Sequence, residues 1–278
     1  MQFNRLLFAA GIALAATTMT ACNNENKQEK PAETAATKDI KGENVTYKSD
    51  SLSMQGYVAY DNAVEGKRPV VLIIPEWWGV TDYVRGRARQ LAELGYLAFV
   101  VDMYGNGKVA DTRDSADAWA GAFYKDAPLA KKRFDAALNQ ALTYAQADAS
   151  KKAAIGYCFG GAMVLNIARL GEDLNGVVSF HGNLPVIPTT KEALKAKILV
   201  CHGEADGFIK PEEITAFRKQ LDSLGASYEF KSYPGAQHAF TNPDATANGK
   251  KFGIPISYNA AADTASWNDM KAFFKTIF

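Results

Sequence analysis

The most constraining feature of this chain is a glycine pattern, Gly156-Tyr-Cys158-Phe-Gly160-Gly161, set between an apolar run and a helical one. Ala153 to Tyr157 reads as a strand and the residues from Gly160 onward as a helix, so the segment is a sharp strand-to-helix turn. Such a turn strains the residue at its apex, and side chains at either flank would clash with the backbone, which is why glycines stand there. It lifts the Cys158 thiol above the sheet, at the amino end of a helix whose dipole favours a thiolate. The amide of Phe159, next along the chain, is the expected donor to an oxyanion. The bland reading is a buried cysteine in a glycine-tolerant core; the strand and helix on either side favour a nucleophile.

Around this turn the chain alternates. Val45-Thr-Tyr-Lys and Met54 to Tyr60 have period two and predict an antiparallel hairpin. Val70 to Ile74 is a continuous apolar run, as in a buried central strand. Asp82 to Leu94 predicts a helix stopped by Gly95, and Tyr96 to Val101 a strand. Further helices are predicted over Leu129 to Ala147, from Pro211, and over Ala260 to Ile277. Further strands are predicted at Gly176 to Phe180, Lys197 to Cys201 and Tyr228 to Ser232. This alternation predicts an α/β fold, with a mostly parallel sheet covered by helices on both faces and the early hairpin as an antiparallel edge.

A base and an acid for Cys158 are expected at the ends of later strands. Asp206 follows the Lys197 strand, and His238 follows the last strand, giving the chain order Cys158, Asp206, His238. In that order His238 takes the thiol proton and Asp206 holds its tautomer. The other two histidines are read differently. His202 is a structural strand-end residue, whereas His181 ends the strand after the turn and is a candidate pocket residue. Trp77, Trp78, Phe159 and Tyr104 are core aromatics by default, although strand-end positions also suit the wall of an apolar acyl pocket. Cys201, inside an apolar strand, is read as core filler. No His/Cys/Asp cluster has metal spacing and no phosphate cradle or dinucleotide motif is present, so no metal and no cofactor are expected.

Composition enters as exclusion. With 278 residues, three cysteines and a formal net charge of +1, the chain is neither a disulfide scaffold nor a nucleic-acid binder. The start of the chain reads as an address. A basic Arg5 precedes the apolar run Leu6 to Ala16, too short to span a bilayer, and Met19-Thr-Ala-Cys22 resembles the lipobox of bacterial lipoproteins. The expected organisation is a signal peptide at 1–21, a lipidated Cys22 with a polar tether over 22–42, and one domain over 43–278. Acylation of Cys22 implies attachment to the bacterial cell envelope. Asn23 leans that assignment towards the outer membrane, facing the periplasm.

From Tyr47 to the C-terminus the chain resembles the dienelactone hydrolase family of α/β-hydrolases. The matching pieces are Ile74-Pro-Glu76-Trp-Trp-Gly79, Leu91-Ala-Glu-Leu-Gly95-Tyr, Val101-Asp-Met-Tyr104-Gly, Gly156-Tyr-Cys158-Phe-Gly-Gly161, His202-Gly-Glu-Ala-Asp206 and Tyr233-Pro-Gly-Ala-Gln-His238-Ala-Phe240. The resemblance implies an α/β-hydrolase fold and a Cys158–Asp206–His238 triad acting on a small ester or lactone. It implies a second oxyanion donor at the Trp77 amide and a Glu76 carboxylate that contacts the resting thiol. It also exposes a departure. Members that hydrolyse dienelactone grip the substrate carboxylate with two arginines, and the corresponding positions here are Asn106 and Asn242. A neutral ester, lactone or thioester is therefore expected. Arg85 or Arg87, on the first helix, could substitute for those arginines; the alternative role for both is a solvated helix face. A non-catalytic lipoprotein and a redox-active thiol protein remain as competing readings of the same fold.

Overall fold

The computed structural model describes residues 37–278. The expected signal segment 1–21, the lipidation site Cys22 and tether residues 23–36 lie outside the described residues. Two long strands come first, β1 (Ile40–Ser49) and β2 (Leu52–Asp61). Residues 40–42, expected in the tether, thus already pair with β2. There follow β3 (Arg68–Ile74), α1 (Asp82–Glu93), β4 (Leu97–Val100), α2 (Arg113–Lys125), α3 (Ala127–Ala141), β5 (Ala147–Tyr157), α4 (Phe159–Arg169) and β6 (Gly176–Phe180). The chain closes with β7 (Lys197–Gly203), α5 (Pro211–Leu224), β8 (Tyr228–Tyr233), α6 (Ala245–Phe252) and α7 (Ala260–Ile277).

The strands form one eight-stranded sheet in the order β1-β2-β4-β3-β5-β6-β7-β8. The β1/β2 hairpin is antiparallel and joins β4 antiparallel, and every pairing from β4 to β8 is parallel. This is the α/β-hydrolase fold. Apolar side chains fill both faces: Val70, Leu72 and Ile74 point to one core and Val71 and Ile73 to the other. The first core packs α3, α4 and α5, and the second packs α1 and α7. Every residue of α4 is buried, and its near-uniform apolarity suits a helix enclosed on all sides.

Several elements differ from the sequence-based expectation: β1 begins at Ile40 and β5 at Ala147, ahead of the expected Val45 and Ala153, and three helices depart further. Helix α2 was not foreseen, because its buried stripe is only Ala116, Ala120 and Phe123. Besides that stripe its local signal is Thr112, whose hydroxyl accepts from the Ser115 amide at 3.2 Å. Helix α3 stops at Ala141, six residues before the expected Ala147, since Ala147 and Asp148 are taken into β5 to pair with Arg68 and Pro69. Helix α6 was missed as well.

Register decides where chemistry can happen. Ile74 lies beside Gly156, Tyr157 beside Phe180, Phe180 beside Cys201 and Gly203 beside Tyr233, so the carboxyl ends of β3, β5, β6, β7 and β8 finish level. The chain runs outward from β3 to β4, then returns to place β5 on the other side of β3. That switch leaves a crevice beyond the strand ends, where ligands bind in open α/β sheets.

Candidate active site

Cys158 sits at the switch, between β5 and α4, with φ 54° and ψ −117°. A non-glycine residue there is strained, and its neighbours explain how the strain is held. A Cβ on Gly156 would lie 2.1 Å from the Gly160 carbonyl oxygen, and one on Gly160 would lie 2.1 Å from that of Ile74. Only bare backbone fits. The thiol is left half-buried at the amino end of α4.

His238 and Asp206 meet beneath the thiol from separate loops. His238 Nδ1 and Asp206 Oδ2 are 2.8 Å apart and both residues are buried. Asp206 is itself fixed by the Phe208 amide at 3.0 Å, and the two loops lock where the Ala205 amide donates to Ala236. Burial works against a charged imidazole, but Cys158 first and Asp206 second outweigh it, and His238 is pushed up to about 10. The ring is thus held protonated between two groups that favour its charge.

Trp77 and Phe159 both line the crevice. Among the described residues, neither the Phe159 nor the Trp77 amide has a hydrogen-bond partner. The Gly79 amide donates to the Glu76 carbonyl at 3.1 Å, which turns the Trp77 N–H of the same peptide the opposite way. The Gly160 amide donates to the Pro75 carbonyl at 3.1 Å and ties the loop after β3 to the start of α4. Tyr104 Oη donates to the Trp77 carbonyl at 2.8 Å.

Glu76 is 4% exposed, and its only side-chain partner among the described residues is Asn242, whose Nδ2 donates to Oε2 at 2.8 Å. Burial dominates and pushes the carboxyl up to about 7, against the lowering effects of Asn242, His238 and Arg87. A stability prediction follows. A carboxyl raised in the folded state from its ordinary 4.5 keeps a proton that the unfolded chain has released. Stability therefore falls as pH rises from 4.5 to 7, by about 3 kcal/mol from this group at 1.36 kcal/mol per unit. Urea unfolding of Glu76→Gln beside the parent should show the variant lacking that fall. An equal pH dependence in both proteins would contradict the assigned burial cost.

The crevice encloses a cavity of about 530 Å³ lined by Cys158, His238 and Glu76, with Trp77, Trp78, Phe159, Leu184, Pro185, Phe208, Ile254 and Ile256 as apolar wall. Helix α2, absent from the sequence-based expectation, supplies Arg113, Asp117, Gly121 and Tyr124, and α5 supplies Glu213. Sequence reasoning missed these wall residues. The Thr112 cap and the alanine stripe were the available signals for α2, and nothing in the sequence aims it at the crevice.

Four candidate pocket residues stand elsewhere. Asn106 is exposed on a turn held against β2, because the Asp102 carboxylate collects the amides of Gln55, Tyr104, Gly105 and Gly107. Tyr104 lies behind the wall, stacked on Phe159 at 6.1 Å. His181 lies under the turn and does not line the cavity. Asn242 belongs to the site as the partner of Glu76, behind the wall and not on it. Neither Arg85 nor Arg87 lines the cavity: Arg85 pairs with Asp82, while Arg87 is buried against Asp263 and the Thr241 carbonyl and is no solvated residue. His202 is buried beside Phe230, and burial pushes it down. Cys201 is buried too, its thiol pushed up to about 12 by burial. Among the described residues no group of His, Cys, Asp and Glu is arranged to hold a metal.

Comparison with known proteins bears on this geometry. The model of the dienelactone hydrolase family matches residues 54–278. A dienelactone hydrolase-like promiscuous phosphotriesterase, P91, from metagenomic libraries superposes with a TM-score of 0.81 at 33% identity, over 86% of this chain and 99% of its own. The solved structure named m3DLH gives 0.80 at 31% identity, over 86% and 99%. An Escherichia coli K12 protein named "Putative carboxymethylenebutenolidase" is 29% identical over 80% of this chain and 82% of its own.

Proposed function

The chain belongs to the dienelactone hydrolase family and is a carboxylic-ester or lactone hydrolase, and from that premise we propose that it works through a Cys158 acyl-enzyme. The observation that carries this reading is the His238–Asp206 pair beside Cys158, with His238 held charged by both partners. The Cys158 thiolate adds to the substrate carbonyl carbon, and the C=O electron pair moves onto oxygen, received by the Trp77 and Phe159 amides. Collapse breaks the ester C–O bond, and the leaving alkoxide takes the His238 proton. In a lactone that alkoxide stays tethered to the acyl group. Neutral His238 then takes a proton from water, the hydroxide adds to the thioester, and collapse releases the acid and the thiolate. Asp206 keeps the His238 ring oriented throughout.

The wall supports an uncharged substrate. Its apolar side chains are joined by the acidic Glu76, Asp117 and Glu213 and by Arg113, while the charge of the protonated His238 is already opposed by its own partners Asp206 and Cys158. Neutral phenyl esters and lactones should therefore give a higher kcat/KM than analogues bearing a carboxylate. The same panel tests the reading as a whole: stoichiometric alkylation with iodoacetamide should abolish hydrolysis. Activity that survives complete alkylation of Cys158 would overturn it. A Cys158–Cys201 disulfide is not supported, since Cys201 packs in the core of one sheet face and Cys158 against that of the other.

For residues outside the described part we propose export and lipid attachment through Cys22, to the outer membrane facing the periplasm. Cys22→Ser should move the protein from the membrane fraction to the soluble fraction of cells. Retention on the membrane would contradict the anchor.

A further inference from the structure

The turn that presents Cys158 rests on a buried hydrogen-bond chain that the acyl-enzyme mechanism does not use. The Cys158 amide donates to the Phe180 carbonyl at 3.0 Å and also to His181 Nδ1 at 3.1 Å. His181 follows β6, is 1% exposed and has φ 41°, and its own amide is held by the Cys201 carbonyl at 2.9 Å. On the far side of its ring, Nε2 lies 2.7 Å from Thr241 Oγ1, and the same hydroxyl lies 2.6 Å from Tyr83 Oη. Thr241 is fixed in turn, because its carbonyl accepts from the buried Arg87 guanidinium at 2.7 Å. The chain thus runs from α1 through the loop after β8 to the backbone of the nucleophile.

Its direction is determined. A nitrogen that accepts from an amide carries no proton, so the single proton of neutral His181 is on Nε2 and is donated to Thr241. Burial, with His238 and Arg87 adding to it, holds His181 well below the usual histidine range. The two rings are 5.4 Å apart. An imidazolium at His181 would remove one of the two acceptors of the Cys158 amide, leaving the Phe180 carbonyl alone, and would set a second positive charge beside His238.

We infer that His181 is a positioning residue: its neutral Nδ1, oriented by Thr241 and Tyr83, fixes the strained backbone of Cys158 so that the thiol faces His238. This inference rests on Cys158 as the nucleophile. It differs from a packing role in one respect, since it requires an acceptor at one ring position and a defined tautomer.

The test uses three variants of the whole protein and two readouts. His181→Phe keeps the ring and removes the acceptor. It should lower kcat by about ten- to a hundredfold with KM within about twofold, because a misplaced nucleophile affects turnover and leaves substrate contacts intact. His181→Asn places an amide oxygen near the Nδ1 position on a residue that tolerates positive φ, and should restore most of the lost turnover. Thr241→Val leaves the backbone at 181 alone and should also lower kcat at constant KM. The second readout is independent of activity. The 15N shifts of the His181 ring should report the Nε2–H tautomer in the parent, and in Thr241→Val a shift of the Nε2 resonance as its hydrogen bond to the hydroxyl is lost. The inference is overturned by an Nδ1–H tautomer or a charged ring in the parent. It is equally overturned if His181→Phe or Thr241→Val turns over as the parent does, or if His181→Asn is no better than His181→Phe. If Cys158→Ala kept full activity, the nucleophile assignment would fail while the tautomer measurement still stood, so the two failures can be told apart.

Discussion

Replacing Cys158 with alanine is expected to lower kcat/KM for a good ester or lactone substrate by about four to six orders of magnitude, the scale at which other nucleophile–base–acid triads depend on a member. The substitution leaves the cavity, the His238–Asp206 pair at 2.8 Å and the Trp77 and Phe159 amides in place. What remains should be the part due to oxyanion binding and orientation alone. A second effect follows from the electrostatics. Cys158 is the largest of the influences that raise His238, so in the variant the ring should titrate well below about 10. Following the His238 ring by NMR against pH checks this without a substrate. A variant with parental activity would mean that the thiol takes no part. An unchanged His238 titration would mean that the charge on the ring is set elsewhere.

Gly160→Ala is expected to be among the most damaging of the single-methyl additions, costing about 3 kcal/mol or more in unfolding free energy. The added Cβ would stand 2.1 Å from the Ile74 carbonyl oxygen and 2.6 Å from that of Pro75, both backbone atoms at the end of a central strand. Relief requires α4 to move off β3. That breaks the Gly160–Pro75 hydrogen bond and separates the two amides proposed to receive the oxyanion. Activity should therefore fall even at temperatures where the variant remains folded. Gly86→Ala is the contrasting case. Gly86 lies within α1, nothing is within 4 Å of an added Cβ, and the substitution should stabilise by about 0.5–1 kcal/mol. Denaturant unfolding of both variants measures the difference. Equal, small effects would show that the turn at Cys158 is looser than its contacts imply.

The parts of this protein legible from its sequence are those fixed by local pattern. The apolar run Val70 to Ile74 reads as a buried strand and the glycines around Cys158 as a tight turn, and the structure gives the reason for the glycines: a side chain at Gly156 or Gly160 has nowhere to go. Strand β6 and helix α7 fall where period and composition put them. Legibility ended where a long-range contact decided the outcome. The alanine stripe of α2 is too weakly apolar to announce a helix, yet that helix builds one wall of the cavity. Asn106 has the sequence spacing of a pocket residue, but the Asp102 carboxylate gathers four amides and turns the loop towards β2. His181 occupies the strand-end position of a pocket residue as well. Its ring turns inward because the Cys158 amide and the Thr241 hydroxyl are both within reach. In each case the residue type was informative and the direction of the side chain was not.

The central claim is that substrate becomes covalently attached to Cys158. The most direct measurement is the intact mass of the protein, quenched in acid during turnover of an activated neutral ester, followed by peptide mapping. A mass increase equal to the acyl group, carried by the peptide that contains Cys158 and absent from Cys158→Ala, is the predicted result. Turnover with no acylated species even in His238→Ala, where release of the acyl group should be slowest, or an acyl group on any other residue, would contradict it.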